Sequence, residues 1–411
     1  MHPAALVRAR VKILVLSFYF RPDLCAGSFR ATPLVDALRR AVPPGSQIDV
    51  ITTLPNRYQS FSAQAPQFEE GPGLSIFRVA LPAHKSGMID QSRAFVAFSR
   101  ETMRRVSGRD YDLVFATSSR LMTAVLGAWV ARRKRARLYL DIRDIFVDTI
   151  KDVLPRRMSW FFRRVFSVLE KQAVRQADKV NLVSSGFAEY FSSRYSAQHF
   201  SYFTNGVDDD FCAPAPVAPP VHASVGPVSV GGRPLTVLYA GNLGEGQGLH
   251  TILPQLAKSL GARVRFRIIG DGGRKNALRE ALTALHVTNV ELIPPMSRSD
   301  LIAEYRIADV LFLHLNNHEA FKKVLPSKLF EYAALGKPVW AGASGYAAQF
   351  ITSEISNAAV FEPCDVSSAV RALDALIIHD TPRSAFIAKY ARANISRQLA
   401  EDIVAVAGSG R

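Results

Sequence analysis

The sequence has few cysteines and no long apolar run, and both shortages narrow the class of protein. Cys25, Cys212 and Cys364 are the three cysteines of a 411-residue chain. Their scattered positions fit neither a disulfide framework nor a metal cluster. The longest apolar stretches, residues 13–20 and 121–131, are shorter than the roughly 18 residues that a membrane-spanning helix needs. We therefore expect a cytoplasmic protein without transmembrane helices.

We also expect no secretory signal at the start of the chain. Residues 1–12 carry three basic side chains, but the apolar run that follows is strand-like and has no small-residue cleavage site. The 48% of hydrophobic and 21% of charged residues exclude a disordered or collagenous chain.

Basic residues outnumber acidic ones by a wide margin in the first half of the chain only. Residues 1–205 hold 31 Lys and Arg against 16 Asp and Glu, a net charge of +15, whereas residues 206–411 hold 20 against 19. This asymmetry predicts that the first half meets a polyanion or an anionic surface. A generally Arg-rich composition is the alternative, but it does not explain the neutral second half.

What the sequence does contain is a repeated alternation of strand and helix patterns. The chain opens with VKILVLSFYF, an apolar run typical of a buried parallel strand, and further strand–helix units follow. The pattern restarts after a Pro-rich stretch, at LTVLYAG. We predict two Rossmann-like, doubly wound α/β domains facing across a cleft, with limits at 1–205, a linker 206–234, 235–385, and a C-terminal helix in 386–411 that packs back on the first domain.

The window FKKVLPSKLFEYAALGKPV is the most informative one. The spacing predicts a helix over residues 326–335, which puts Lys328 in the first turn and Glu331 on the same face. A cation opposes the positive end of a helix dipole unless an anion is bound there, so this pair predicts a phosphate site beside a ribose acceptor. A simple ion pair on a solvated face is the other interpretation.

Glycine-rich turns follow two predicted strands of the second domain. YAGNLGEGQGLH places Gly241 and Gly244 directly after a strand, and IIGDGG places Gly270 and Gly272 after the next one. Backbone amides in such turns approach an anion closely. The spacing differs from that of dinucleotide binders, and a plain loop is the alternative.

Two places in the first domain also carry candidate residues. Gly27, Ser28 and Arg30 belong to a predicted loop after the first strand, and Arg143 with Asp144 ends the strand LYLDIRD. These are positions where α/β sheets bring functional groups, although a salt-bridged strand end fits Arg143 and Asp144 equally. The triplet at 208–210 is expected to be a solvated turn, and we expect no metal site.

A basic helix is predicted over residues 156–179. Its apolar side chains, including Val165, share one face that suits the core, and an aromatic residue lies on the opposite face among arginines. That exposed face resembles an interfacial membrane anchor; a core helix with a basic outer face is the alternative. The residues assigned to the membrane are Arg156, Arg157, Trp160, Arg163 and Arg164.

With these motifs the chain resembles the family 4 glycosyltransferases of the GT-B fold, over nearly its whole length. The segments GEGQGL and PSKLFEY are similar to those of the subgroup that builds bacterial surface polysaccharides, such as O-antigen and capsule. By this resemblance Glu331 holds the donor ribose. The family's first acidic residue is replaced by Lys323, its basic pair by Asn242 and Gln247, and its histidine after LYLDI by Arg143.

The resemblance implies transfer of a sugar from a nucleoside-diphosphate sugar, expected to be UDP-linked, to a lipid-linked acceptor with retention of configuration. We expect catalysis by Lys328, Lys323, Asp144 and Arg143, without metal or other cofactor, and donor binding by Glu331, Ser327, Gly241, Asn242, Gly244, Gln247, Gly270, Gly272 and Met296. The acceptor side is expected at Gly27, Ser28 and Arg30.

The expected location is the inner face of the cell membrane, bound peripherally to anionic lipid. Three alternatives stay open at this point: a GT-B sugar-nucleotide epimerase, a basic membrane- or nucleic-acid-binding protein without catalysis, and a transferase that needs a partner. No nucleic-acid-binding module is found, so nucleic acid is not the expected partner.

Overall fold

A computed structural model gives the arrangement of these elements. The structure describes residues 10–55, 64–82, 88–118, 121–145, 156–212, 224–225 and 232–409, and for residues 88–89, 156–163 and 224–225 it describes the backbone alone. The chain divides into two compact units, Met1–Thr204 with Ala393–Arg411, and Asn205–Arg392.

The first unit is built from alternating strands and helices, with one hairpin. In chain order they are β1 (Lys12–Leu16), α1 (Ala26–Ala41), β2 (Gln47–Thr53), β3 (Phe68–Gly71), β4 (Leu74–Val79), α2 (Met88–Val106), β5 (Leu113–Ser118), α3 (Leu121–Lys134), β6 (Arg137–Ile142), α4 (Arg156–Gln176), β7 (Lys179–Leu182), α5 (Ala188–Arg194) and β8 (Phe200–Ser201).

These strands form one sheet in the order β3-β4-β2-β1-β5-β6-β7-β8, parallel except for the β3–β4 pair. Strands β1, β4 and β5 are buried on both faces, which explains the continuous apolar run of β1 at residues 13–16. One sheet face packs against α1 and against the final helix of the chain, through Leu399 and Ile403. On the other side, α3 packs against β5, α2 and α4.

The second unit repeats the strand–helix alternation. It contains β9 (Ser224–Val225), β10 (Leu235–Ala240), α6 (Leu249–Leu260), β11 (Val264–Ile269), α7 (Lys275–Ala284), β12 (Val290–Ile293), α8 (Arg298–Ile307), β13 (Val310–His314), α9 (Lys328–Ala334), β14 (Val339–Gly342), α10 (Gly345–Glu354), β15 (Ala358–Phe361), α11 (Val366–Ala375), β16 (Ile377–Ile378) and α12 (Ser384–Tyr390). The final helix, α13 (Arg392–Gly408), continues into the first unit.

The main sheet of the second unit has the strand order β12-β11-β10-β13-β14-β15 and is parallel throughout. Successive strands are added towards one edge of the sheet from β10 to β12 and towards the other edge from β13 to β15, so the order of strand addition reverses between β10 and β13. Ligands of such sheets bind at the carboxyl ends of the strands beside this reversal. The connections after β10, β11 and β13 meet there.

The predicted class, two doubly wound α/β units with parallel sheets, is confirmed, while several element limits differ from prediction. Helix α1 begins at Ala26, so Gly27, Ser28 and Arg30 lie inside it and not in a preceding loop. Helix α9 begins at Lys328 and not at Pro326, because residues 326–328 form a turn that leads into it. Among the residues that the structure describes, no helix is both long and apolar enough to span a bilayer.

Candidate active site

The two glycine-rich turns of the second unit pack backbone against backbone. The Gly241 amide donates to Ile269 O at 2.8 Å, and the Leu243 amide donates to Asp271 O at 2.9 Å. A side chain at Gly270 would collide with Gly241 O. Gly241 and Gly270 also have φ angles of 144° and 150°, which favour glycine. The turns after β10 and β11 therefore form one tight backbone surface beside the reversal point.

The Lys328 side chain extends over this surface. Its Nζ donates to Tyr239 Oη at 2.9 Å and lies 4.3 Å from the centre of the Tyr239 ring. Tyr239 Oη in turn donates to Asn242 O at 2.7 Å. A side chain at Gly241 would collide with the Lys328 ammonium. The fold thus fixes a cation at the carboxyl end of β10, where a bound anion would meet it.

Glu331 lies one helical turn from Lys328 and is buried, with 8% of its surface exposed. Burial raises the pKa of this carboxyl group, and the positive charges of Arg298, Arg392 and Lys328 act in the opposite direction. A carboxylate kept among cations is a strong hydrogen-bond acceptor, which suits the hydroxyls of a ribose.

The acidic triplet is exposed at Asp209 and Asp210, as predicted, but Asp208 is half-buried. Asp208 forms salt bridges with both Arg298 and Arg392, and Asp210 pairs with Arg298 at 2.8 Å. The prediction of a solvated turn was wrong for Asp208, because both of its arginine partners come from distant parts of the chain. Through them Asp208 holds in place the cations that surround Glu331. No cluster of three or more metal-ligating side chains lies among the described residues, and metal-independent catalysis stays a prediction.

The other predicted donor residues occupy the same edge of the sheet. Asn242 Nδ2 donates to Gln247 Oε1 at 2.9 Å, and the Gly244 amide donates to the same atom at 3.3 Å. These two amide side chains therefore brace the turn internally. Gly272 packs against Leu243 O, and half-buried side chains follow β12 and β13 at Met296, Lys323 and Ser327.

Helix α9, which carries Lys328 and Glu331, is held at its far end by Arg383. The Arg383 guanidinium is buried and donates to the carbonyl oxygens of Ala333, Lys337 and Ser356. Carbonyl groups at the end of a helix need such donors. Sequence analysis missed this residue, because its acceptors are backbone atoms that leave no pattern in the sequence.

The candidate residues of the first unit meet at the carboxyl end of β6. Arg30 was expected to contact the acceptor substrate, but its guanidinium is already engaged within the protein. Its Nε and both terminal nitrogens donate to Asp141, Phe203 O and Thr204 O. Arg143 follows β6 and approaches Gly27 of α1. Burial raises the pKa of Asp144 to about 6, and the charge of Arg143 opposes that shift.

The predicted membrane helix is α4. The side chains of Arg156, Arg157, Trp160 and Arg163 lie outside the described residues, and Arg164 is exposed. Val165 was predicted to face the core, but 39% of its surface is exposed and Val168 is exposed further. The prediction that Val165 packs in the core was wrong, because the outer surface of α4 carries apolar as well as basic side chains.

Comparison with known proteins identifies the family. Residues 6–206 match the family described as glycosyl transferase 4-like domain, and residues 228–394 match glycosyl transferases group 1. The chain belongs to the family 4 GT-B glycosyltransferases. The transferase is 24% identical, over 96% of its length and all of the relative, to the putative colanic acid biosynthesis glycosyl transferase WcaI of Escherichia coli K12.

Solved structures share the fold of this transferase at low identity. HepE of Anabaena, solved in complex with UDP, has 17% identity and a TM-score of 0.56, with 96% of this chain and 97% of HepE covered. WaaG, a glycosyltransferase involved in lipopolysaccharide biosynthesis, has 14% identity and a TM-score of 0.61 over the same shares of the two chains. The predicted GT-B fold is confirmed.

Proposed function

We propose that the transferase moves a sugar from a UDP-sugar to a hydroxyl group of a lipid-linked acceptor, with retention of configuration, during assembly of a cell-surface polysaccharide. The likeness to WcaI, a putative colanic acid biosynthesis enzyme, supports the polysaccharide, and the likeness to the UDP complex of HepE supports the nucleotide.

The observation that carries the proposal is the fixed ammonium of Lys328 above Gly241, with Glu331 one turn away. In the proposal the donor diphosphate binds Lys328 and the amides of the two glycine-rich turns. The ribose hydroxyls bind Glu331. Lys323, in the connection between β13 and α9, adds positive charge, so these two lysines supply the stabilisation that a metal ion gives elsewhere.

The chemical step follows from this charge arrangement. The bond between the anomeric carbon and the diphosphate oxygen breaks, and the acceptor oxygen bonds to that carbon from the same face. The departing phosphate oxygen takes the acceptor proton. Lys328 stabilises the negative charge that develops on the leaving diphosphate, which is where electrostatic catalysis is most effective.

Replacement of Lys328 tests the proposal. We expect Lys328→Met to lower kcat/KM about a hundredfold or more, because a cation on the leaving group is worth about 3 kcal/mol. UDP release should be measured with a panel of UDP-sugars and extracted membrane lipids, and UDP affinity by calorimetry. Lys258→Met, an exposed change on α6, is the matched control. Unchanged turnover in Lys328→Met contradicts the proposal, and conversion of a UDP-sugar without any acceptor supports an epimerase instead.

The proposed location is the inner face of the cell membrane. Helices α2, α3 and α4 carry thirteen Lys and Arg residues and three Asp and Glu residues. Each helix presents an exposed apolar side chain near exposed basic ones. We name this surface the basic helical face: Arg93, Val96 and Arg100 of α2, Trp129, Arg132 and Arg133 of α3, and Arg164, Val168 and Lys171 of α4. Apolar and basic side chains in this mixture suit an anionic lipid surface.

A further inference from the structure

A partly buried guanidinium lies at the carboxyl end of β6 in the first unit. Arg143 directly follows the strand, and its backbone amide donates to Ser118 Oγ at 3.3 Å. Its Nη1 atom is shielded from solvent and has no hydrogen-bond partner among the described residues. Burial lowers the pKa of Arg143, and the charge of Arg30 acts in the same direction. A buried N–H group without an acceptor is costly, and in native structures it calls for an explanation.

The unpartnered nitrogen lies against the first turn of α1. A Cβ atom at Gly27 would be 3.2 Å from Arg143 Nη1 and 3.1 Å from Tyr19 Cβ. Helix α1 is 16 residues long, its N-cap residue Cys25 makes no capping hydrogen bond through its side chain, and its first turn contains no acidic residue. First-turn amides have no acceptor within their own helix. A guanidinium and the positive end of a helix dipole are thus held together.

The charges of Asp141 and Asp144 offset part of this positive charge, but neither carboxylate accepts a hydrogen bond from Arg143 Nη1. Both oxygens of Asp141 accept from Arg30, and Thr117 and Asn181 donate to them as well. Asp144 is close to Arg143, but burial raises its pKa to about 6, so the carboxyl group gives up its charge more readily than usual. Arg143 Nη1 therefore stays a donor without an acceptor among the described residues, although two carboxylates lie near it.

We propose that Arg143 and the first turn of α1 bind a phosphate group of the acceptor. We name this place the Arg143–α1 site. A guanidinium fork beside helix amides matches the geometry and charge of a phosphate. The absence of a side chain at Gly27 lets the guanidinium lie directly against the first turn of α1. The inference rests on the proposed function and adds to it that the lipid-linked acceptor carries a phosphate. In that function the donor diphosphate has its own cation in Lys328.

Calorimetry on the full-length protein with inorganic pyrophosphate tests this site. We expect pyrophosphate to bind while UDP saturates the donor site, and Arg143→Gln to weaken that binding at least about tenfold, since hydrogen bonds to charged groups are worth 1.5–3 kcal/mol. Arg143→Lys should weaken it less, because the charge stays but the fork is lost. Arg40→Gln, an exposed change at the other end of α1, is the matched control and should bind as the unaltered protein does.

A second variant keeps the test decisive if Arg143→Gln fails to fold. Gly27→Ala places a methyl group against Nη1 without a strained φ angle, and it should weaken pyrophosphate binding several-fold. Displacement of pyrophosphate by UDP would overturn the assignment to the acceptor, and so would unaltered pyrophosphate binding in both variants. UDP affinity is read separately: it should fall in Lys328→Met and stay unchanged in Arg143→Gln. If the unaltered protein does not bind UDP, the proposed function is contradicted. The effect of the variants on pyrophosphate binding then still decides whether the Arg143–α1 site binds phosphate.

Discussion

Arg30 and Asp141 form a buried ion pair in the centre of the first unit. Arg30 Nε and Nη2 donate to the two Asp141 oxygens at 2.8 and 2.7 Å, and 5% of the Arg30 surface and none of the Asp141 surface is exposed. Burial alone would raise the pKa of Asp141, but the charge of and hydrogen bonds from Arg30 outweigh it, and the pKa lies below its usual value. The pair joins α1 to β6 next to Arg143.

We expect Arg30→Met to lower the free energy of unfolding by about 3–5 kcal/mol, because it leaves a buried carboxylate without its partner. The double variant Arg30→Met/Asp141→Leu should recover part of this loss, since it removes the buried charge as well. Urea unfolding at pH 7 measures both. Arg263→Met, in an exposed pair with Asp374, is the control and should change stability by less than about 1 kcal/mol.

The pH dependence of this pair has a defined sign. The folded state depresses the pKa of Asp141, so its contribution is complete above the ordinary value of about 3.9 and is lost as the pH falls through the folded value. An Arg30→Met loss that is equally large in strong acid would contradict the explanation.

At the level of elements, His314 joins three segments of the second unit. It ends β13, its Nδ1 donates to Gln247 O at 2.7 Å, and its Nε2 accepts from the Cys364 amide at 2.9 Å. Burial lowers the pKa of His314 to about 4, although the hydrogen bond to Gln247 O acts in the opposite direction. A neutral ring thereby ties the turn after β10 to the loop after β15. The sequence predicted the glycine-rich turn after β10 but not the two hydrogen bonds of His314.

This histidine should make the stability of the protein depend on pH. The unfolded chain protonates His314 near pH 6.5, whereas the folded protein does so only near pH 4. Stability should therefore fall as the pH drops, with about 2 kcal/mol lost from this group between pH 7 and pH 5. Urea unfolding of His314→Gln should lack that part of the pH dependence, while exposed His379→Gln should keep it. Identical slopes in all three proteins would contradict the prediction.

For the molecule as a whole, the distribution of charge separates the two units. The first half carries almost the entire net charge of +16, and the structure puts much of it on the basic helical face. The sequence predicted a membrane-binding surface on α4, around Trp160. The described side chains add Trp129, with 52% of its surface exposed, and Val96 with 65%. An exposed apolar surface of this kind is typical of an interaction site.

Vesicle binding tests the membrane proposal. The triple variant Trp129→Ser/Arg132→Gln/Arg133→Gln should bind vesicles with 30% phosphatidylglycerol about tenfold or more weakly, because each basic residue near such a surface contributes about 1 kcal/mol. Co-sedimentation at two salt concentrations measures this. The control Ile307→Ser/Arg265→Gln removes exposed apolar and basic groups from the second unit. Equal binding of both variants would contradict the basic helical face, and a nucleic-acid gel shift tests the alternative partner.

The sequence by itself determined the features that depend on residues close together in the chain. Strand–helix alternation predicted both parallel sheets, and the three-residue spacing of Lys328 and Glu331 put them on one helix face. Only the tertiary structure decided which distant residues meet, such as Arg143 with Gly27 or Asp208 with Arg298. These contacts follow from the path of the chain through the sheets, and no local periodicity encodes a partner about ninety or more residues away.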